Sequence, residues 1–275
     1  MSNNPVPRNA EDRPLLRVVN LRKSYARRGR WARNVCEVEP LRGVDLTLQH
    51  GRGLALIGAS GSGKSTLARC LAGLEKPDSG EIRWVGQNLE QYGCSSTFRD
   101  SARAQMVFQD PAWSLNPRLR ASDIVSEPLL IARWGNRSER AERAANLMKM
   151  VGLSPDAGRR LPREFSGGQR RRLAIARALA VEPRLLILDE ALAGLDLSTQ
   201  AQIANLLLDL QAERGLTYLW ISHDLSLAAR LAEQVAVMEE GRIVEAAPTA
   251  ELFAHPQSRQ ARALLEATLA LRREV

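Results

Sequence analysis

The chain has 275 residues, 44% of them hydrophobic, so it is long enough for one large domain or two smaller ones and can bury a core. This composition excludes a disordered or fibrous protein. The net charge of +8 suits an anionic partner (a nucleotide, a nucleic acid or a membrane surface) or a solvated basic surface, and an aromatic content of 4% argues against stacking on nucleic-acid bases.

The cysteines and the N-terminus indicate the cellular context. The chain has three cysteines, Cys36, Cys70 and Cys94, and no two of them lie in a CxxC spacing. We therefore expect reduced thiols, as in a cytosolic protein, and we expect Cys70 to be a small core residue. Residues 1–14 are polar and have no apolar signal segment, so a flexible tail is predicted. No run reaches the roughly 18 apolar residues of a membrane helix, so work at a membrane would require docking.

Short apolar or alternating runs predict strands in the first third of the chain, at Leu15–Val19, Val44–Leu48, Leu54–Ile57 and Glu81–Val85. The basic stretch Arg22–Arg33 is predicted to be a loop, either solvated or in contact with lipid headgroups. A helix is predicted after Gly58–Thr66, because apolar residues recur at helical spacing at Leu67, Cys70, Leu71 and Leu74.

Helical signals replace strand signals from about Ser101 to Glu164, most clearly at Ser138–Val151, which predicts a helical insertion in an α/β core. Strand and helix then alternate again. Beyond the insertion we predict strands at Leu185–Leu188 and Thr217–Ser222, a hairpin of Val235–Met238 with Arg242–Glu245, and helices at Ser198–Arg214 and Thr249–Val275.

The segment GASGSGKST fits the pattern G-x-x-x-x-G-K-[ST] between a predicted strand and a predicted helix, which is the context of a phosphate-binding P-loop. Backbone N–H groups are expected to cradle phosphates, Lys64 to reach the β- and γ-phosphates, and Ser65 to ligate Mg²⁺. The expected ATP contacts are Gly58, Ser60, Gly61, Ser62, Gly63, Lys64, Ser65 and Thr66.

Two carboxylates, Asp189 and Glu190, end the apolar run LLIL. A buried unpaired charge is costly, and Mg²⁺ would compensate it. We therefore expect Asp189 to be a metal ligand and Glu190 to polarise the attacking water, while a helix-capping acid pair is the alternative. Gln109 is expected to reach Mg²⁺ or the water. His223, which follows a core strand, is expected to contact the γ-phosphate or else to be structural.

A second segment with the features of a phosphate-binding site is EFSGGQRRRLAIARALAVEP. Ser166 is expected to cap its alanine-rich helix, and two glycines follow Ser166. The triplet Arg170–Arg172 points in three directions on that helix. At most one of its arginines is expected to be functional.

These motifs, in this order, resemble ABC-transporter ATPase subunits over roughly Leu15 to Pro256. GASGSGKST matches the Walker A motif and LLILDE matches the Walker B motif. Gln109 corresponds to the Q-loop, AGLD with Asp196 corresponds to the D-loop, and His223 corresponds to the H-loop. The signature motif is matched by Phe165, Ser166, Gly167, Gly168 and Gln169. Tyr25 corresponds to the A-loop aromatic that stacks on adenine, with Trp31 as the competing aromatic.

Within the family, QMVFQDPAWSLNPRLR and HPQSRQARALL resemble the peptide/nickel importer branch, and LLILDEALAGLDL resembles the second ATPase of nickel- or dipeptide-type importers. The resemblance implies an α/β P-loop NTPase with a RecA-like core, an antiparallel β subdomain and an inserted α-helical subdomain. It implies an ATPase domain over 15–245, with the insertion at about 101–180, and a helical tail over 246–275.

The resemblance implies a subunit that hydrolyses ATP to energise an importer of peptides or of nickel and other metal chelates, and it also implies a mechanism and partners. ATP and Mg²⁺ are bound by one subunit and closed over by the signature motif of the other, in a head-to-tail dimer with a sister ATPase rather than with an identical chain. Two transmembrane permeases and a substrate-binding protein are the expected partners, and the chain is expected at the cytoplasmic face of the inner membrane. No nucleic acid is expected. The alternatives are a soluble ABC-type ATPase of repair or translation and a regulatory subunit without turnover.

Overall fold

The computed structural model describes residues 14–28, 35–84, 104–110, 114–222 and 225–273. Two compact units are distinguished: Met1–Ser95 with Thr217–Val275 form the first, and Ser96–Leu216 the second. Predictions for the N-terminal tail before Pro14 and for Trp31, Cys94 and His223 fall outside the described residues.

Strands and helices alternate through both units. Within the described residues the strands are β1 Pro14–Arg28, β2 Val35–Gln49, β3 Gly53–Ile57, β4 Ser79–Trp84, β5 Ala104–Val107, β6 Leu185–Asp189, β7 Thr217–Ser222, β8 Gln234–Glu239 and β9 Arg242–Pro248. The helices are α1 Lys64–Leu71, α2 Ala121–Ile131, α3 Arg137–Met150, α4 Gly167–Leu179, α5 Leu197–Arg214, α6 Leu225–Leu231, α7 Thr249–Ala254 and α8 Arg259–Arg273. Two short 3-10 turns, Pro155–Arg159 and Pro162–Glu164, precede α4.

The first unit contains an antiparallel sheet in the order β2-β1-β4. The loop predicted at Arg22–Arg33 is wrong over residues 22–28, because β1 continues to Arg28 and pairs with β2 along its length. Arg22 in this segment lies 3.4 Å from Glu39 of β2 in an ion pair. Cross-strand pairs of opposite charge stabilise such a sheet.

A second sheet in the first unit has the order β7-β3-β8-β9, with β3 parallel to β7 and β8 and with β8 antiparallel to β9. The predicted hairpin is therefore confirmed. All five residues of β3 are buried, as expected of a central parallel strand. Ile57 pairs with Ser222, so the chain leaves β3 and β7 at the same sheet edge.

The helix after β3 is shorter than its apolar pattern predicts. α1 ends at Leu71, and Gly73 follows with φ +71°, a left-handed conformation that terminates helices. Leu74, expected on the buried helical face, is therefore 57% exposed. Cys70 is a free and buried thiol, as predicted, and burial raises its pKa to about 11.

The second unit pairs β5 in parallel with the fully buried β6 and packs α2, α3 and α4 against one another. Ala104–Val107 is a strand where the sequence showed no strand signal, because its four residues acquire that conformation by pairing with β6. The helical core is made by large apolar side chains that are 0–1% exposed, among them Ile124, Leu147, Met148 and Leu173. The α/β class and the antiparallel and helical parts of the predicted fold are confirmed.

Candidate functional site

Two glycines of the phosphate loop occupy positions that no other residue can fill. Gly63, immediately before α1, has φ +107°, and a Cβ there would lie 2.1 Å from the Pro40 carbonyl oxygen. Gly58 has φ +156°, and its Cβ would lie 2.1 Å from the Met238 carbonyl oxygen. The loop between β3 and α1 therefore packs its backbone directly against neighbouring backbone, and the sequence motif follows from this contact.

Lys64 places a buried positive charge inside this loop, since its residue is only 7% exposed. Its Nζ donates hydrogen bonds to the carbonyl oxygens of Gly58 and Ala59, both at 2.8 Å, and to Ser62 Oγ at 3.3 Å. A cation at the N-terminus of a helix, where backbone N–H groups point toward the loop, favours the binding of an anion. The loop can thus hold phosphate groups.

The structure brings Tyr25 next to the phosphate loop. The Tyr25 hydroxyl hydrogen bonds to the Glu75 carboxylate and to the Thr66 side chain, and the ammonium of Lys23 lies 5.5 Å from the ring centroid. Partial burial, together with the bond to Glu75, raises the pKa of the Tyr25 hydroxyl. The ring is 38% exposed and held on β1, so it has an accessible surface beside the last residue of the loop.

Gln109 and Glu190 lie together in the second unit. They follow the parallel strands β5 and β6, so they emerge at the same edge, and Gln109 Nε2 donates to Glu190 Oε2 at 2.7 Å. Glu190 has φ +47°, a strained conformation for a residue other than glycine. Asp189, the last residue of β6, is 9% exposed. The structure does not support a helix-capping acid pair, because the residue that caps α5 is Asp196.

The signature segment caps α4 as predicted for Ser166. Ser166 Oγ accepts from the Gln169 N–H at 3.3 Å, and Gln169 Oε1 accepts from the Ser166 N–H at 3.0 Å, which is a reciprocal capping box. A Cβ on Gly168 would lie 2.6 Å from the Thr199 methyl group, whereas around Gly167 no atom would lie within 4 Å. Phe165 is only 5% exposed.

Asp196 also has a structural task. Its carboxylate accepts from the Thr199 N–H at 2.8 Å and from the Thr199 hydroxyl at 2.7 Å, which fixes the start of α5. These hydrogen bonds, the backbone one first, lower the pKa of Asp196.

Two residues of these sites were not predicted. Glu75, which holds Tyr25, lies in the segment EKPDSG, whose composition indicated only a turn. Arg171 belongs to the arginine triplet, and helical spacing alone gave no way to choose among its three members. In the part of the chain that the structure describes, no group of three or more His, Cys, Asp or Glu residues is arranged to hold a metal ion. Among the same residues, no helix combines the length and apolarity needed to cross a bilayer.

Comparisons with known proteins agree with these motifs. The family model described as ABC transporter matches residues 41–193. The dipeptide transport ATP-binding protein DppF of Haemophilus influenzae is 42% identical over 259 residues, covering 94% of this chain and 79% of that protein. DppF of Escherichia coli K12 is 43% identical over 256 residues, which cover 93% of this chain and 76% of that protein.

Among solved structures, the chain resembles a dimeric post-hydrolysis state of the ATP-binding cassette MJ0796 bound to ADP and Pi. The TM-score is 0.75 and the identity 29%, with 85% of this chain and 98% of that chain covered. The predicted P-loop NTPase fold is therefore confirmed.

Proposed function

Because the chain belongs to the ABC transporter family, we propose that it is the ATP-hydrolysing subunit that energises an importer of peptides. The observation that carries the proposal is the phosphate loop with its buried Lys64, in a chain whose relatives are named dipeptide transport ATP-binding proteins. ATP hydrolysis follows from family membership, whereas the peptide substrate is transferred from those relatives. Their names do not favour the nucleic-acid alternative.

We propose that the loop of one chain binds the triphosphate. The N–H groups of Gly61 and Gly63 would face phosphate oxygens, and the Ser62 N–H would exchange its 3.2 Å bond to the Ala59 carbonyl oxygen for one to phosphate. Lys64 would exchange its carbonyl contacts for the β- and γ-phosphates. Tyr25, which the Thr66 contact holds beside the loop, supplies the surface on which the base stacks. Phosphoryl transfer depends mainly on positioning and electrostatic stabilisation, and these groups supply both.

Glu190 is proposed to orient and polarise the attacking water, with Gln109 as the group that senses it. The 2.7 Å hydrogen bond from Gln109 holds the Glu190 carboxylate in one orientation. A γ-phosphate that draws Gln109 away would release this carboxylate toward the water. His223 remains a predicted contact of the γ-phosphate.

We propose Ser65, Asp189 and Gln109 as the Mg²⁺ ligands, because each offers an oxygen of the kind that this ion prefers. A hydroxyl, a carboxylate and an amide oxygen are all hard oxygen ligands, which Mg²⁺ prefers alongside phosphate oxygens. Asp189 is a 9% exposed carboxylate at a strand end, where a cation would offset the cost of burying its charge. Bound Mg²⁺ would neutralise charge on the phosphates.

The signature segment is proposed to act on the nucleotide of a partner ATPase. Ser166, Gly167 and Gln169 are exposed at the N-terminus of α4, whose free N–H groups attract phosphate, and the space around Gly167 is open. One chain would then hold two half-sites, its own loop and a signature for its partner. We propose a sister ATPase rather than an identical chain as that partner, with Asp196 at their interface.

The proposed assembly also includes two transmembrane permeases and a substrate-binding protein, with this chain docked peripherally on the inner face of the cell membrane. The helical part of the second unit, coupled through Gln109, would transmit closure to the permeases.

The test is ATP turnover by the chain assembled with its permeases and partner ATPase in lipid vesicles. Glu190→Gln should retain ATP binding and lose nearly all turnover contributed by its site. Glu142→Gln serves as the matched control, since Glu142 is an exposed acid on α3. Undiminished turnover in Glu190→Gln would contradict the role of Glu190. Normal turnover without stimulation by any peptide would contradict the substrate class alone.

A further inference from the structure

We propose that Arg171 is a positioning residue that fastens the loop after Glu190 to the signature helix α4. The inference rests on the proposed function of these two elements. It assigns a task to one member of the arginine triplet, whose role the sequence left undecided.

Arg171 reaches three carbonyl oxygens of one short loop. Its Nη1 donates to the Glu190 carbonyl oxygen at 3.3 Å and also to that of Ala191, and its Nη2 lies 3.5 Å from that of Ala193. The residue is only 6% exposed, so these contacts are shielded from water. A guanidinium has a fixed, planar set of donors, which suits it to grip several acceptors at once.

The remaining carbonyl of the loop is held from the other side. Gln200 Nε2, on α5, donates to the Leu192 carbonyl oxygen at 2.9 Å. All four carbonyls of residues 190–193 therefore accept from side chains of flanking helices, in addition to the Ala193 N–H bond to Glu190. Residues 190–193, held at all four carbonyls, have little freedom to rearrange alone.

These hydrogen bonds explain how Glu190 keeps its left-handed backbone conformation. A left-handed conformation at a residue other than glycine persists only where its surroundings enforce it. Glu190 is enforced at both ends, by Arg171 at its carbonyl oxygen and by Gln109 at its carboxylate. The backbone conformation sets the direction of the side chain, so Arg171 acts on the proposed water-polarising carboxylate without touching it.

The same contact joins two half-sites of one subunit. Arg171 lies five residues after Ser166 on α4, so a displacement of the signature by the partner's nucleotide is passed to the loop that carries Glu190. The triplet's next member does not share this connection. Arg172 instead donates to the Val151 carbonyl oxygen at 2.7 Å and to Gln202 at 3.0 Å.

The first experiment measures amide hydrogen exchange of residues 190–196 in the full-length chain. Arg171→Met keeps the length of the side chain and removes its donors, and we expect it to speed exchange in this loop by at least tenfold. Arg172→Gln, the matched control on the same helix, should leave loop exchange unchanged. Arg171→Lys, which keeps the charge but not the fork, should give an intermediate rate and covers the case in which Arg171→Met does not fold. Wild-type exchange in Arg171→Lys and in any folded Arg171→Met would overturn the proposal.

The second experiment measures ATP turnover in the assembled complex. Arg171→Met should lower kcat on the order of 100-fold while the KM for ATP stays within about twofold, because a small misplacement of a reacting group costs rate rather than binding. If Glu190→Gln abolishes turnover but Arg171→Met retains the wild-type kcat, the Arg171 proposal fails alone. If Glu190→Gln retains turnover, the proposed function fails, and the exchange measurement still decides whether Arg171 holds the loop.

Discussion

Ser166 caps a helix within its own chain and is proposed to contact the partner's phosphate, and one substitution separates these two tasks. Ser166→Asp retains a good N-cap, because aspartate accepts from the same N–H groups and suits the positive end of the helix. The 3.3 Å bond from the Gln169 N–H is therefore expected to persist in some form, and the chain's thermal midpoint should change by less than about 2 °C.

The partner's nucleotide meets this variant differently. A carboxylate about 4 Å from a phosphate charge is repelled by about 4 kcal/mol at the effective dielectric constant near a protein surface. This corresponds to about a thousandfold weaker ATP-dependent closure at that site. ATP binding to the chain's own loop should be unaffected.

Ser166→Ala provides the opposite pattern. It removes the cap acceptor at a cost of about 1 kcal/mol in the free energy of unfolding, but introduces no charge against the phosphate. Closure is measured as ATP-dependent association with the partner ATPase in a Glu190→Gln background, and stability by thermal unfolding. Closure by Ser166→Asp equal to that of the parent would refute the placement of the signature on the partner's phosphate.

Two further predictions concern backbone strain and titration. Gly63→Ala should abolish ATP binding and lower the free energy of unfolding by about 1–3 kcal/mol, because the new Cβ would lie 2.1 Å from the Pro40 carbonyl oxygen. Gly73→Ala, also at positive φ but in open space, is the control and should keep ATP binding. ATP binding by both variants in calorimetric titration would contradict this cause. The lowered pKa of Asp196 means that its charge stabilises the fold above the unfolded pKa and that this contribution is lost as pH falls through the folded pKa. Asp196→Asn still caps α5 but cannot titrate. Below about pH 4 the thermal midpoint of the wild type should therefore fall more steeply with pH than that of Asp196→Asn, and equal slopes for the two proteins would contradict this prediction.

The sequence predicted the fold best where the chemistry is local. The phosphate loop, the Ser166 cap and the β8–β9 hairpin are specified by residues adjacent in the chain, and each was found as expected. The extension of β1 and the strand β5 were not predicted, because their residues become strands through partners far away in sequence. A basic run and a four-residue segment carry no such information by themselves.

The candidate site likewise combines features that neighbouring residues specify with contacts between residues distant in sequence. The roles of Lys64 and Glu190 were assigned from motif spacing, and these remain predictions until turnover is measured. The Gln109–Glu190 hydrogen bond, the hold of Glu75 on Tyr25 and the choice of Arg171 depend on which side chains fold onto one another. Helical periodicity gives the direction of an arginine but not the carbonyl groups it meets.

We propose that the signature segment of this chain completes a site whose phosphate loop belongs to another subunit. The most direct measurement is photolabelling of the assembled importer with a vanadate-trapped azido-ATP, with Ser166→Asp introduced only into this chain. The label should disappear from the partner ATPase, whereas this chain should stay labelled by the nucleotide that its own phosphate loop binds. Label lost from this chain and retained on the partner would contradict it.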